Sequence, residues 1–590
     1  MSGIAAVTSD TACRTDIMEL LEPMRYRGID GVDYVRLGAV GLGHLHHDTH
    51  PNEKGSQQPV KVDGTWVTID GRIDNRRQVL ANLSPSLSEP ITDAELVCHA
   101  YNQFGIDCLS SLVGAYAITI WDSTRQRLYC ARDKTGIRGL YFALTPANDL
   151  LVASELGAIH ATRDDWRINE GLVGEYLLGD IVTSGETFYD GIWSLQPGSY
   201  LVHDEGTIET VHYWPTRNDI TDSVEDPPAE FATLLRRVVQ DRAQVTDPHP
   251  VMMSGGLDST AITAFVADDA KKSVPAHSVV FPDRPEISEE PKIDVMTAET
   301  DVTVSKIREL PDVRSPRRWQ WLLPDSPCLD STSFVYEAVF EQLPNDRRVL
   351  LTGLGGNLFD GSPIALSDML TNWEFRRLLR TVRNSSLSLP AAAAYMFLPL
   401  ISRKDVERIL GGRWYPPWPD WLNTTFAERV DLADRFRSTS LDGRFRRRSV
   451  RKTVRDLRDP YMDFATDSVR RLGLHHGIEL RHPWLDARLF EFLFGLQTEY
   501  LYYDGEYKQL FRSAAASVLP RSVRTQSVSA NTYSAFIRDA LAAEGHDNER
   551  SLNTVDALSV DDFDGILSRG GRKDGMTVWR WLTTAAFLDA

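Results

Sequence analysis

The stretch that decides the fold is 251–260, with the sequence VMMSGGLDST. An apolar run leads into a pair of glycines, and STAITAFVADDA (259–270) continues with a helix-compatible pattern. Where a buried strand turns into a helix through glycines, the backbone can approach a phosphate, since the first N–H groups of the helix are unpaired and lie at the positive end of its dipole. The loop lacks the lysine of the Walker pattern. It therefore predicts a phosphate-binding loop of another kind.

Strands and helices alternate around this loop. The helical pattern AEFATLLRRVVQDRAQV (229–245) precedes it, and the apolar segments AHSVVF (276–281) and RRVLLTG (347–353) follow it. Such alternation, with glycines at strand ends, is typical of a doubly wound parallel α/β sheet. The remainder, from about 365 to 590, has a mostly helical pattern.

The first 210 or so residues have a different pattern. Short apolar segments such as TWVTIDGRI (65–73) and AYAITIWD (115–122) are separated by turn residues and by a few helical stretches. This arrangement predicts an α+β domain of stacked sheets. A polar stretch at 214–228, ending in Asp-Pro-Pro, is predicted to be a linker. We therefore expect one domain over 1–213 and a second over 229–590.

Length and composition exclude several classes of protein. A chain of 590 residues exceeds the roughly 250–300 residues at which single cores stop growing. The net charge of -19 opposes nucleic-acid binding. Arginine outnumbers lysine and aspartate is abundant, which fits either a salt-adapted surface or a codon bias. No run of about 18 apolar residues suggests a membrane span, and the N-terminus has no signal-peptide pattern, so the expected location is the cytoplasm. The five cysteines form no CxxC pair, which argues against zinc.

The loop Ser254-Gly255-Gly256-Leu257-Asp258-Ser259-Thr260 resembles the motif of the PP-loop ATP pyrophosphatases, which cleave ATP between its α and β phosphates. Other segments are similar, in the same order, to asparagine synthetases: IDGRIDN, VGAYAITIWD, LTGLGGN (351–357), and GIELRHPWLD (477–486) followed by Lys508. The resemblance covers nearly the whole chain. It implies an Ntn-hydrolase-like stacked-sheet amidotransferase domain, then a PP-loop synthetase domain with a helical C-terminal part that includes the 477–486 segment.

The resemblance also implies a reaction and its cofactors, ATP and Mg²⁺. A carboxylate is adenylated, pyrophosphate leaves, and an amine attacks the acyl-adenylate to form an amide. The nucleotide-binding residues it implies are Ser254, Gly255, Gly256, Leu257, Asp258, Ser259, Thr260, Val280, Gly353, Gly355 and Gly356. The magnesium ligands are Asp258 and Asn357, and these two with Arg524 are the implied catalytic residues.

The amidotransferase half departs from the family pattern where glutamine would react. Ser2 stands in place of the family's nucleophilic cysteine, and His46 in place of the arginine that grips the glutamine carboxylate. The family's Asn-Gly-Glu signature reads Asp70-Gly71-Arg72, and only Asp93 is retained. Losing the carboxylate clamp and reversing the charge at Arg72 should prevent recognition of a zwitterion. We expect glutaminase activity to be lost. A metal site in the cluster His44, His46, His47 and His50 is disfavoured, because the segment maps onto an ordinary strand.

The synthetase half is altered as well. Asn357 replaces an aspartate, and Leu354 replaces a Glu or Tyr that helps to activate the amine. Gln526 and Val528 fall where relatives show Arg-x-Lys, so Arg521 and Arg524 are candidate substitutes. The Gly355-Gly356 pair is similar to the lasso-peptide cyclase and β-lactam synthetase branches, in which the amine belongs to the substrate.

Three functions follow from these patterns. The leading one is an ATP-dependent, AMP-forming amide ligase that does not use glutamine, acting on a small-molecule or peptide carboxylate. The second is ring closure, either macrolactam formation on a precursor peptide or β-lactam-type closure. The third is a catalytically silent, ATP-binding homologue that acts as a regulatory module. A homodimer is left open, and neither nucleic acid nor a membrane is expected as a partner.

Overall fold

The computed structural model describes residues 2–8, 16–50, 53–83, 90–204, 206–215, 224–243, 248–285, 287–310, 325–327, 332–400, 418–438, 445–525 and 572–588. Gln526 and Val528 lie outside these described residues, as do Cys13 and Cys328. Among the described helices, none is long and apolar enough to cross a membrane.

In the described part of the first 212 residues, twelve strands form two six-stranded antiparallel sheets that lie face to face. The strands are β1 (Gly3–Thr8), β2 (Gly31–Leu37), β3 (Val40–His46), β4 (Val60–Val62), β5 (Thr65–Ile73), β6 (Gly114–Asp122), β7 (Arg127–Arg132), β8 (Tyr141–Leu144), β9 (Leu150–Ala153), β10 (Ile192–Ser194), β11 (Ser199–Asp204) and β12 (Thr207–His212). Their order is β10-β8-β9-β1-β3-β2 in one sheet and β12-β11-β7-β6-β5-β4 in the other. Apolar side chains such as Ile4, Leu42 and Leu128 fill the space between the sheets. The predicted α+β stack is confirmed.

Short helices cover these sheets. Their bounds are α1 (Ile17–Leu21), α2 (Arg76–Asn82), α3 (Asp93–Phe104), α4 (Cys108–Ser111), α5 (Leu156–His160) and α6 (Glu170–Leu178). Helix α3 begins where Thr92 and Glu95 form a capping box, in which each side chain accepts from the backbone N–H of the other residue.

A five-stranded parallel sheet forms the centre of the second half, in the order β15-β14-β13-β16-β17. Its strands are β13 (Val251–Met252), β14 (Val274–Val279), β15 (Val302–Ile307), β16 (Val349–Leu351) and β17 (Glu479–Arg481). The order reverses between β13 and β16, and ligands of open α/β sheets bind at such a point, beyond the carboxyl ends of the strands. The glycine loop that follows β13 lies at this edge of the sheet. The predicted parallel sheet is confirmed.

Helices surround the parallel sheet and continue to the C-terminus. They are α7 (Pro227–Ala243), α8 (Leu257–Asp269), α9 (Glu290–Glu299), α10 (Ser333–Phe340), α11 (Ala365–Thr371), α12 (Phe375–Asn384), α13 (Leu389–Phe397), α14 (Thr424–Arg429), α15 (Leu432–Ser438), α16 (Arg448–Leu457), α17 (Pro460–His475), α18 (Ala487–Gly495), α19 (Gln509–Ala514), α20 (Arg521–Arg524) and α21 (Arg572–Leu588). Strand β17 was not predicted: it lies in a segment that was assigned to the helical C-terminal part. Three buried residues are too few for periodicity to tell a strand from a helix.

A buried carboxylate joins the two halves. Glu479 on β17 accepts from Arg72 of β5 at 2.8 Å and from Arg138 at 3.0 Å, and Arg481 lies 3.2 Å from its other oxygen. Burial opposes ionisation of Glu479, but the guanidinium groups of Arg481, Arg72 and Arg138 outweigh burial and hold the pKa of this carboxyl well below its usual range. Arg72 therefore lies inside the interface between the halves, bound to the parallel sheet.

A second set of ion pairs extends the same interface. Arg242 of α7 lies 3.1 Å from Asp74, which also accepts from Arg72, and 2.9 Å from Asp486. All of these side chains are almost completely buried, so each charge depends on its neighbours for the hydrogen bonds that water would otherwise supply.

We expect Glu479→Gln to destabilise the fold by ~3–5 kcal/mol, because it leaves three buried guanidinium groups short of a counter-charge. Since the pKa of Glu479 is lowered in the folded state, its contribution is present above the unfolded value of about 4.3 and is lost as the pH falls. Urea unfolding at neutral and acidic pH would measure both effects. The exposed Glu209→Gln serves as the control, and equal stability of the two variants would contradict the assigned role of Glu479.

Candidate active site

The phosphate loop is held by its own hydroxyl groups. The backbone N–H of Ser254 donates to Ser259 Oγ at 3.0 Å, and the N–H of Gly256 donates to Ser254 Oγ at 3.2 Å. Gly255 has a φ of +84°, a left-handed conformation that favours glycine. Helix α8 begins directly after the second glycine, so its N-terminus points to the edge of the sheet where the loop lies.

A second glycine loop, 353–357, packs directly against the first. A Cβ atom on Gly353 would lie 2.5 Å from the backbone nitrogen of Ser259, and one on Gly356 would lie 2.3 Å from Cγ of Asp258. Gly355 has a φ of +90°. The two loops can therefore approach each other only because these positions have no side chain, and their contact fixes the location of Asp258.

Asp258 meets a buried lysine. Nζ of Lys508 lies 2.8 Å from each carboxylate oxygen of Asp258 and 3.0 Å from Oδ1 of Asp360, and the side chain of Lys508 is only 5% exposed. The backbone N–H of Lys508 donates to the carbonyl oxygen of Asp360 at 2.7 Å. The structure thus brings together one predicted site residue, Asp258, and two whose place in the site was not predicted.

A cavity of about 500 Å³ opens beside this cluster. Its lining includes Asn357, which is exposed, and several ionisable and aromatic side chains: Asp360, Asp456, Asp459, Glu506, Lys452, Lys508, Tyr395, Tyr500 and Tyr507. Carboxylates outnumber ammonium groups in this lining. Burial raises the pKa values of Asp360 and Asp459, although the ammonium of Lys508 acts in the opposite direction on Asp360.

The other predicted residues occupy separate positions around the loop. Val280 is buried directly after β14, next to the strand that carries the loop. Leu354 faces a small space of about 30 Å³ that is also lined by Thr135 and Pro197 of the first half. The carbonyl oxygen of Arg524 accepts from Arg512. Burial lowers the pKa of Arg512, while Glu506 and Asp258 act to raise it. Arg512, like Lys508, is therefore a cation near Asp258 that the sequence did not reveal.

The N-terminal site is closed by ion pairs. Arg27 donates to the carbonyl oxygen of Ser2 at 2.5 Å and to the buried carboxylate of Asp70 at 2.6 Å. His46 lies 3.0 Å from Asp33. The cavity beside Ser2 measures about 20 Å³, which is room for about one water molecule. Arg72 and Glu479 line this cavity, so the interface between the halves closes it.

Two further predicted residues lie near this cavity. Asp93 pairs with Arg76, and burial together with the carboxylate of Glu53 raises the pKa of Asp93 to about 7. Gly71 has a φ of +135°, and a Cβ there would clash with the backbone of Ala115. Among the residues the structure describes, no group of three histidine, cysteine or acidic side chains is arranged to hold a metal ion.

Comparison with known families places these two halves. A family model described as asparagine synthase matches residues 230–586, and one described as a glutamine amidotransferase domain matches residues 1–214. The chain belongs to the asparagine synthase family. It is accordingly an ATP-dependent carbon–nitrogen ligase by family.

Individual relatives of this asparagine synthase family member are distant. The chain is 24% identical over 498 residues to asparagine synthetase (glutamine-hydrolyzing) 3 of Bacillus subtilis, covering 80% of this chain and 76% of the relative. It is 26% identical over 256 residues to amidase chry2 of Gibberella zeae, covering 39% of this chain and 35% of that protein. Among solved structures, a glutamine phosphoribosylpyrophosphate amidotransferase of B. subtilis, complexed with ADP and GMP, matches with 16% identity and a TM-score of 0.28, covering 53% of this chain and 67% of that one.

The oxygen donors near the loop fit a magnesium ion. Carboxylates of Asp258 and Asp360 converge on one cation, and Asn357 offers an amide oxygen at the same cavity. Mg²⁺ is usually held by one or two carboxylates together with substrate phosphates, so a larger cluster of acids is not required. Asp360 could have been identified from the sequence by its spacing, because it lies three residues after Asn357.

Proposed function

We propose that this member of the asparagine synthase family activates a carboxylate with ATP and joins it to the amine of an organic substrate, and not to free ammonia. The observation that carries the proposal is the contact between the two glycine loops, which holds Asp258 beside Lys508 at a cavity of about 500 Å³. This arrangement offers backbone N–H groups, hydroxyls and cations to phosphates next to space for a second substrate.

In the proposed reaction a carboxylate oxygen attacks the α-phosphorus of ATP, and the bond to the bridging oxygen of the β-phosphate breaks. We assign Lys508, Arg512 and Arg524 to the neutralisation of charge on the departing pyrophosphate. Asp258 and Asn357 would hold Mg²⁺, which supplies further neutralisation of phosphate charge when it is bound. The amine nitrogen then attacks the acyl carbon, its proton passes to solvent, and AMP leaves.

The lining of the cavity favours a substrate amine over free ammonia. Asp456, Asp459 and Glu506 are carboxylates that attract an ammonium group, and Tyr395 and Tyr507 offer aromatic contact area. A cavity of about 500 Å³ falls in the range of sites that hold a whole small molecule. These features support an organic amine as the nucleophile.

Ring closure on a peptide is the second candidate, and one feature of the surface favours it. Helix α13 and the residues after it expose Leu389, Phe397 and Leu398 to between 53% and 77%, next to Tyr395 at the cavity. An exposed apolar surface of this kind suits binding of a peptide chain. In this case the carboxylate and the amine belong to one precursor molecule.

We further propose that the N-terminal half does not hydrolyse glutamine. The space beside Ser2 is about 20 Å³, far too small for an amino acid. Arg72 is committed to Asp74 and Glu479, and His46 to Asp33, so neither is available to grip a substrate carboxylate. The half then acts as a scaffold for the synthetase site.

Pyrophosphate release tests the ligase proposal. Incubation with ATP, Mg²⁺ and a panel of carboxylates and amines should release pyrophosphate with at least one pair. Asp258→Asn should lower that rate by about 100-fold or more, as loss of a charge-stabilising group does. Asp268→Asn, at the exposed far end of the same helix, is the control and should behave as the native protein.

Normal turnover in folded Asp258→Asn would refute the role of the loop. Saturable ATP binding without pyrophosphate release from any pair would instead support the silent, regulatory alternative.

Glutamine hydrolysis is a separate prediction. Because the site at Ser2 is closed, the protein incubated with glutamine, with or without ATP, should form no glutamate above the rate of a Ser2→Ala variant. An enzyme-coupled glutamate assay measures this directly. Glutamate formation that disappears in Ser2→Ala would show that the site opens and that Ser2 is a working nucleophile.

A further inference from the structure

Three charged groups meet where the two glycine loops touch. The ammonium of Lys508 lies 2.8 Å from Asp258 and 3.0 Å from Asp360. Oδ1 of Asp360 is buried, and its contact with the lysine lies outside hydrogen-bond geometry. Two carboxylates therefore converge on one cation, and one of their oxygens is left without a hydrogen bond.

The position of Asp360 is related to that of Asn357 by the local helix. Gly356–Phe359 is a 3-10 helix, and the backbone N–H of Asp360 donates to the carbonyl oxygen of Asn357 at 3.2 Å. Side chains three residues apart in such a helix eclipse each other. Asp360 thus places a carboxylate on the same face of the turn as the amide of Asn357. The family pattern has an aspartate at position 357, and this chain has an amide there.

The cluster carries more negative than positive charge. Two carboxylates face one ammonium, and both keep partial exposure, 23% for the Asp258 side chain and 36% for that of Asp360. Lys508 also holds this place in a left-handed conformation, with a φ of +59° that a lysine seldom adopts. Such backbone outliers are concentrated at functional sites.

We infer that Asp258 and Asp360 are paired carboxylate ligands for the Mg²⁺ that accompanies ATP, and that Lys508 is their internal counter-ion until nucleotide binds. This inference rests on the proposed ATP-dependent function. The two carboxylates already lie within about 3 Å of one point, so a small inward movement brings them to the distance of about 2.1 Å that Mg²⁺ requires.

Lys508 then becomes available to the phosphates. When Asp258 and Asp360 turn to the ion, the ammonium loses its partners and can rotate on its flexible four-carbon stem. A lysine is a compact point charge suited to phosphate oxygens. It would supply the cation that the family places near Val528, a position outside the described residues. Lys508 is thus assigned to the pyrophosphate-binding machinery.

Binding of Mn²⁺, followed by the electron paramagnetic resonance signal of the free ion, tests this exchange without turnover. In the presence of α,β-methylene-ATP, Asp360→Asn should weaken Mn²⁺ binding by about tenfold or more. In the absence of nucleotide, Lys508→Met should bind Mn²⁺ several-fold more tightly than the native protein, because the competing ammonium is gone. Asp268→Asn, which removes an exposed carboxylate from the far end of α8, is the matched control.

The two opposite shifts separate an exchange site from a merely structural cluster. Native Mn²⁺ affinity in Asp360→Asn, or unchanged nucleotide-free affinity in Lys508→Met, would overturn the inference. Lys508→Gln provides a second variant should Lys508→Met fail to fold, as judged by circular dichroism. If the native protein does not bind α,β-methylene-ATP at all, both the proposed function and this inference are refuted. If it binds the nucleotide but Asp360→Asn does not change Mn²⁺ affinity, only the metal assignment is refuted.

Discussion

The buried carboxylate of Glu479 is the interaction on which the arrangement of this protein depends. It accepts from Arg72 and Arg138 of the first half while it sits on β17 of the parallel sheet, next to β16. The carbonyl oxygen of Arg481 accepts from the N–H of Thr352, and the hydroxyl of Thr352 accepts from the N–H of Leu354. Through these bonds the interface reaches the second glycine loop. A buried charge of this kind is stable only while every partner is present, so the two halves are fixed together.

The same interaction accounts for the small size of the cavity beside Ser2, which Arg72 and Glu479 line. In the family pattern a glutamate occupies the position of Arg72, where it faces the glutamine substrate. An arginine there has the opposite charge and a longer reach, and it bonds to Glu479 and Asp74. At this position Arg72 stabilises the contact between the halves. The proposed loss of glutamine hydrolysis and the support of the synthetase half would then both depend on this residue.

Local sequence pattern was sufficient for the parts of the structure that local forces determine. The run 251–260 predicted the strand, the glycine turn and the helix after it, because all three depend on neighbouring residues. The segment 65–73 was likewise predicted as a strand and is β5. The glycines at 353, 355 and 356 were assigned to the site through the family resemblance. In the structure Gly353 and Gly356 pack against Ser259 and Asp258, and Gly355 packs against Leu485 with a positive φ.

What the sequence did not reveal depends on distant contacts. Arg72 and Glu479 are separated by 407 positions, and no periodicity or motif connects them. Asp360 and Lys508 also meet only through the fold, since one lies after β16 and the other before α19. The strand β17 was missed because three residues give too short a pattern. The roles of Arg524 and Asn357 remain proposals.

In the proposed reaction, a carboxylate oxygen attacks the α-phosphate of ATP at the loop that contains Asp258. The most direct measurement uses a carboxylate substrate labelled with oxygen-18 at both oxygens, together with ATP, Mg²⁺ and an amine that supports turnover. Mass spectrometry of the nucleotide product should find one labelled oxygen in each AMP, with the other retained in the amide. Unlabelled AMP beside a labelled amide, or ADP as the nucleotide product, would contradict this account.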